Sequence, residues 1–277
     1  MTRLLETLPA CGVTTINYVA SDSPMPFVDV ERRGGNQLDF DSRIMDIRDA
    51  RPVAADLSLD VEGFRLVRHE TRLRRSDFRT RSFVNAIYLR EMEAVIARVT
   101  GAALVISSAS PFLRLNSPDA ERQRVGRPAP LAHSDYSEFT FQTQLGHEIP
   151  IGSPAFAEFK RVKVFQTWRA LSPPPQDSSL MFCSAPTVDA SRRVLSRFKA
   201  QAPFDILEFY MYRYDPANRW YFVSDLTIDE VLIFKGYEGD ATEKMHVLHA
   251  GADVPGLPAE TPPRESIETR AFAFFRD

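Results

Sequence analysis

Arg161-Val162-Lys163-Val164-Phe165-Gln166-Thr167-Trp168-Arg169-Ala170-Leu171 sets the character of the second half of the chain. Its β-branched and aromatic residues recur with the period of a strand that has two different faces, and not with that of a helix. Ser172-Pro173-Pro174-Pro175-Gln176-Asp177 then turns the chain, and residues 179–184 begin another strand. Working outward, residues 103–107, 206–214, 219–224, 231–237 and 266–275 read the same way. Asp215-Pro216-Ala217-Asn218 predicts a hairpin turn between two of them. Many short strands separated by close turns predict a mostly β protein with flanking helices. Its core would be an antiparallel double sheet such as a jelly roll, the double-stranded β-helix.

Upstream, residues 13–19 read as a short strand, and residues 21–51 as irregular structure or short hairpins around Arg32-Arg33-Gly34-Gly35-Asn36. Ser82 opens the clearest helix: Val84, Ile87, Tyr88, Met92, Val95, Ile96 and Val99 fall on one face, and Gly101 supplies the stop. It is expected to pack outside the sheets with Tyr88 and Met92 in the core. Short helices are predicted at 154–160 and 190–198. The length fits a single domain over residues 1–277, with 1–100 as an N-terminal strand and helix elaboration and 101–277 as the jelly-roll core.

A composition of 44% hydrophobic and 26% charged residues excludes the disordered class, and a net charge of −3 gives no reason to expect nucleic acid or an anionic membrane as partner. The run 72–81 carries five arginines, which in an acidic chain read as a solvated face. Cys11 and Cys183 are too few for a disulfide framework and lack a Cys-x-x-Cys spacing, which fits a reducing, cytoplasmic setting. Glu6 and Pro9 interrupt any secretory signal, and the stretch 95–113 contains Arg98 and several serines and fails as a membrane span. The chain is expected to be a monomer or homodimer.

Within Pro128-Ala129-Pro130-Leu131-Ala132-His133-Ser134-Asp135-Tyr136, His133 and Asp135 are two residues apart and would share a strand face. That is two thirds of a metal site. His147, His246 and His249 are the downstream candidates for the third ligand, while His69 reads as a surface residue. Two histidines and one carboxylate form the facial triad of non-haem Fe(II) oxygenases, and zinc would accept the same set. Arg264 and Ser266, on one face by the same period, present a guanidinium fork beside a hydroxyl, a match for the distal carboxylate of 2-oxoglutarate.

These segments together resemble the CmcJ/NvfI group of Fe(II)/2-oxoglutarate oxygenases, the cephem-methoxylase-like or AsaB-like hydroxylase/desaturase family. The resemblance covers roughly residues 80–277. It is carried by His133-Ser134-Asp135-Tyr136, Gln166-Thr167-Trp168-Arg169-Ala170-Leu171, Asn218-Arg219-Trp220-Tyr221-Phe222, Asp229 through Lys235 and His249-Ala250-Gly251-Ala252. Its most specific part is Arg264-Glu265-Ser266-Ile267-Glu268-Thr269-Arg270. It implies Fe(II) on His133, Asp135 and His249, the last favoured over His246. It also implies 2-oxoglutarate on Arg264 and Ser266, with Arg270 as the alternative anchor, and Trp168 and Arg169 as candidate substrate contacts. The chain departs from the family at Gln166, where Asn is usual, and at Glu238-Gly239, where an Asp-Ser pair is usual.

The implied activity is hydroxylation or desaturation of a small specialised metabolite, with oxidative decarboxylation of 2-oxoglutarate to succinate. Because Asp135 is a carboxylate, no ligand position is vacated for chloride, which argues against a halogenase. A zinc-dependent hydrolase, which would have no use for Arg264 and Ser266, and a non-catalytic jelly-roll binding protein, in which replacing His133 or His249 by alanine should leave ligand binding untouched, are the alternatives.

Overall fold

The structure, a computed structural model, describes residues 4–20, 26–29, 39–108, 111–200, 204–238 and 247–276. Its strands are β1 (Gly12–Val19), β2 (Phe27–Asp29), β3 (Phe40–Asp49), β4 (Phe64–Arg68), β5 (Leu104–Ser107), β6 (Phe112–Leu115), β7 (His133–Ser134) and β8 (Arg161–Ala170), followed by β9 (Ser178–Cys183), β10 (Arg193–Lys199), β11 (Ile206–Tyr212), β12 (Trp220–Phe222), β13 (Glu230–Glu238), β14 (His249–Asp253) and β15 (Glu265–Phe275). They form a larger sheet in the order β1-β3-β12-β9-β14-β7-β11-β10-β2 and a smaller one in the order β4-β13-β8-β15-β5, with β6 also paired to β15. This is the expected jelly-roll core. Strands from the first hundred residues extend both sheets.

The pleat decides what each sheet presents. In β8 and β15, Ser266 opposes Ala170, Glu268 opposes Trp168 and Arg270 opposes Gln166, so these six residues share one face. That face looks toward the larger sheet, across an apolar filling of Phe64, Trp168, Phe182, Tyr221, Leu232 and Phe234. The opposite face carries Phe165, Ile233, Ile267 and Ala271 and is covered by Tyr88, Met92, Val95 and Ile96 of the long helix. Burying these side chains is worth about 1.5–3 kcal/mol each.

The helix runs Leu89–Thr100 after a π-helical turn at Val84–Tyr88, and Gly101 ends it at φ 73°, a left-handed conformation that favours glycine. Tyr88 and Met92 are fully buried, as expected. Glu91 ties the preceding segment to this helix, accepting from the Thr71 hydroxyl (2.7 Å) and from the Arg72 backbone (2.9 Å) and side chain (3.2 Å). Burial works to raise its carboxyl, but these donors hold it below the usual range. The carboxylate therefore stabilises the fold above its unfolded pKa of about 4.3, and loses that contribution as pH falls through the lower folded value. Glu91→Gln is expected to cost about 1–3 kcal/mol in urea unfolding at pH 7, with the difference from wild type shrinking in acid.

Several expectations are corrected. Residues 21–51 contain the ten-residue strand β3, whose mostly polar outer side hid the two buried positions, Met45 and Ile47. Residues 190–198 form a single 3₁₀ turn and then strand β10, because the buried Val194 and Ser196 recur with period two. The predicted helix at 154–160 is a 3₁₀ turn at Pro154–Phe156. Asp215-Pro216-Ala217-Asn218 is a connection and not a hairpin: β11 pairs with β10 and β7, and β12 with β3 and β9. Helix Glu138–Glu148, capped by Ser137, was unforeseen because Thr140 and Gln144 are buried beside Phe141 and Leu145 and blur the apolar stripe. Among the described residues, no helix is long and apolar enough to cross a membrane.

The arginine run is exposed, as expected, and three of its members also pair with buried carboxylates. Arg75 reaches Glu265 at 2.9 Å, Arg79 pairs with the same buried carboxylate, and Arg72 with Glu91. Glu265 is the first residue of β15, so this clamp fixes the start of the strand next to Arg264.

Candidate metal centre

The larger sheet brings the two histidines together by strand pairing. His133 of β7 stands directly opposite His249 of β14, with ring centroids 4.3 Å apart. Close approach here depends on Gly251: a Cβ at that position would lie 3.0 Å from Pro128 Cβ and 3.1 Å from the Ala129 carbonyl oxygen, to which its own N–H donates at 2.7 Å. Ser134 is buried on the reverse side, its hydroxyl 3.4 Å from that of Tyr212, which leaves His133 and Asp135 facing inward.

His133 Nδ1 lies 2.8 Å from the Leu131 carbonyl oxygen and His249 Nδ1 2.9 Å from that of Val247. Each ring donates Nδ1–H to the carbonyl two residues before it, so both Nε2 lone pairs point into the shared space. Asp135 completes the set, 3.6 Å from His133 Nε2 and 3.5 Å from His249 Nε2. Ligand atoms of the three residues lie within 4.8 Å of one another, the spacing that one cation would bridge. Burial by itself would raise the Asp135 carboxyl, but the Arg270 guanidinium and the two imidazoles hold it well below the usual range. It is ready as an anionic ligand at neutral pH.

The smaller sheet supplies the facing wall. Arg264 is almost fully buried, and its guanidinium lies 5.4 Å from the Trp168 ring. Its backbone N–H donates to Asp177 at 2.7 Å, which fixes the chain where it enters β15. Burial, reinforced by Arg114 and opposed by Asp177 and Glu268, pushes the guanidinium down to about 10. Arg264 Nε, Ser266 Oγ and Asp135 Oδ2 are all buried without a hydrogen-bond partner. Buried polar atoms are ordinarily satisfied. Asp135 Oδ2 in the histidine cluster fits a cation, and the two orphan donors at the start of the facing strand fit an anion.

Trp168 lies on this inner face, buried in the apolar filling between the sheets. Arg169 does not: the pleat turns it to the outer face, where it donates to the Tyr88 hydroxyl at 3.1 Å and the His69 carbonyl at 3.1 Å, and pairs with His69 Nδ1 at 3.0 Å. Those bonds make it part of the helix-side core and turn it away from the inner face. His69 is accordingly half-buried and not a plain surface residue. His147 is exposed on helix Glu138–Glu148, its ring against Phe204 at 5.1 Å, outside the ligand cluster. His246 lies outside the described residues. Lys235 pairs with Glu238 at 3.0 Å and Asp60 at 3.1 Å.

Sequence reasoning missed the aromatic walls and two polar neighbours. Phe209 stands 6.3 Å from the His133 ring and Phe234 5.2 Å from the His249 ring. Glu268 shares the period of Arg264, Ser266 and Arg270 and was readable from it. Gln166 joins them only through the register of β8 against β15.

A family model described as "Oxidoreductase/YMDC permease-like domain" matches residues 16–274. Among curated proteins, the chain is 27% identical over 233 residues to "Fe(II)/2-oxoglutarate-dependent dioxygenase nvfI" of Aspergillus novofumigatus (strain IBT 16806), covering 82% of this chain and 81% of that protein. It is 25% identical over 296 residues to "Hydroxylase/desaturase efuI" of Hormonema carpetanum, covering 95% of each. Among solved structures, the iron and alpha-ketoglutarate-dependent endoperoxidase NvfI aligns over 96% of this chain and 98% of its own with a TM-score of 0.82 at 23% identity, which speaks for the shared fold.

Proposed function

The chain belongs to the family of the oxidoreductase/YMDC permease-like domain, and from its site we propose that it is an Fe(II)/2-oxoglutarate-dependent oxygenase that hydroxylates or desaturates a small specialised metabolite. The observation that carries this reading is the pairing of a His133, Asp135 and His249 cluster with unpartnered donors on Arg264 and Ser266. A hydrolytic zinc site needs only the first of these. Relatives named as Fe(II)/2-oxoglutarate-dependent dioxygenases and hydroxylase/desaturases support the same class.

His133 and His249 through Nε2, and Asp135 through a carboxylate oxygen, would hold the metal. With 2-oxoglutarate and dioxygen, that metal supplies a two-electron oxidation of a substrate C–H bond while the 2-oxo acid is split to succinate and carbon dioxide. Arg264 and Ser266 donate to the distal carboxylate, and Trp168 keeps the guanidinium in place from one side. Phe209 and Phe234 flank the histidines and make that side apolar, which favours an apolar substrate portion.

Anaerobic addition of 2-oxoglutarate to the Fe(II)-loaded protein is expected to produce the visible charge-transfer absorption of a metal-chelated 2-oxo acid. Its absence, with Fe(II) bound, would overturn the cosubstrate assignment. Succinate release across a panel of specialised metabolites then identifies the substrate.

A further inference from the structure

We propose that Arg270 is a positioning residue for the metal carboxylate, held by Gln166 and Glu268, and is not an anchor for the 2-oxo acid. The proposal rests on the metal-site reading above. Arg264 and Arg270 lie on the same face of the same strand region, yet their surroundings differ. Arg264 Nε is buried without a partner. Arg270 Nε donates to Gln166 Oε1 at 3.1 Å, and its Nη2 lies 3.1 Å from both Asp135 Oδ1 and Glu268 Oε1. The guanidinium carbon sits 4.7 Å from the Phe112 ring and 5.8 Å from that of Tyr136. An anchor for an incoming anion needs uncommitted donors, whereas these donors already hold three protein oxygens.

The two oxygens of Asp135 are thereby made different. Oδ1 is tied to Arg270 at 3.1 Å as well as lying 3.6 Å from His133 Nε2, while Oδ2, 3.5 Å from His249 Nε2, is buried with no hydrogen-bond partner. Holding one oxygen back leaves the carboxylate to ligate through the other alone. A free carboxylate could rotate and bind through both, taking a coordination position that a chelating 2-oxo acid needs. Gln166, 1% exposed, fixes the plane of the guanidinium. Glu268 takes a share of its charge, so Arg270 orients Asp135 without cancelling it as a ligand. Outer partners of this kind commonly set metal affinity.

The test uses metal-free protein titrated with Co(II) against a competing chelator, the visible Co(II) spectrum, and 2-oxoglutarate binding to the Co(II)-loaded form. Arg270→Gln is expected to weaken Co(II) binding about 10–100-fold and to alter the spectrum before any 2-oxoglutarate is added, as the coordination number changes. Arg264→Gln is expected to do the reverse: the Co(II) affinity and spectrum stay those of wild type while 2-oxoglutarate binding is lost. Unchanged Co(II) affinity and spectrum in Arg270→Gln would overturn the proposal, whether or not 2-oxoglutarate binding falls. If Arg270→Gln does not fold, Gln166→Leu decides, since it keeps the positive charge and removes one acceptor. Co(II) binding weaker by about threefold or more supports the clamp, and unchanged affinity overturns it. Wild-type protein that binds no Co(II) would remove the metal site itself, and the proposal with it.

Discussion

Replacing His249 by alanine is expected to abolish stable metal binding and 2-oxoglutarate turnover together. His249 is 3% exposed, and its Nδ1 is bonded to the Val247 carbonyl oxygen, so Nε2 is its only group aimed at the site. The remaining pair, His133 and Asp135, would offer a divalent ion two ligands from one side only. The loss in affinity should therefore exceed the ~10–100-fold typical of changes that only touch a ligand's partners. Metal content after dialysis and succinate release both read the effect, with circular dichroism to confirm that the sheets persist. A variant that retains wild-type metal content would refute the ligand assignment.

Arg264→Met carries the second large effect. The arginine is buried, its Nε has no partner, and burial pushes its guanidinium down to about 10, so the protein without cosubstrate holds a poorly compensated cation. Binding a carboxylate there supplies the missing partner. Removing one member of a buried ion pair commonly costs ~3–5 kcal/mol, which corresponds to a rise of about 10² to several 10³-fold in the 2-oxoglutarate concentration needed for half-maximal rate. Stability should move the other way. Methionine fills similar volume without charge, so the melting temperature of the cosubstrate-free variant is expected to equal or exceed that of wild type, while stabilisation by added 2-oxoglutarate disappears. An unchanged dependence on 2-oxoglutarate would show that the acid is held elsewhere.

What could be read in advance followed the physics of each signal. His133 and Asp135 were legible because they obey a two-residue period, as do Arg264, Ser266 and Arg270 on the closing strand, while His249 was singled out only by the family resemblance. Local periodicity fixes faces. It does not fix which strands meet: the register that sets Gln166 against Arg270, and the pairing of β12 with β3 where a hairpin to β11 was expected, are long-range choices. Strand β3 escaped notice because only Met45 and Ile47 are buried along it, and helix Glu138–Glu148 because its buried side is half polar. Arg169 misled for the opposite reason. It adjoins Trp168 in sequence, and in a strand adjacency means opposite faces.

Each metal-facing imidazole is oriented by its own strand's main chain, through a carbonyl two residues upstream, with no other side chain required. The two halves of the cluster are thus prefabricated, and what assembles them is the single cross-strand pairing of His133 with His249. A slip of one residue between β7 and β14 would turn an imidazole to the far side of the sheet and leave no partly working intermediate. Metal uptake should therefore appear in one step during refolding, at the moment this pairing locks, which makes a bound ion a direct clock for the assembly of the larger sheet.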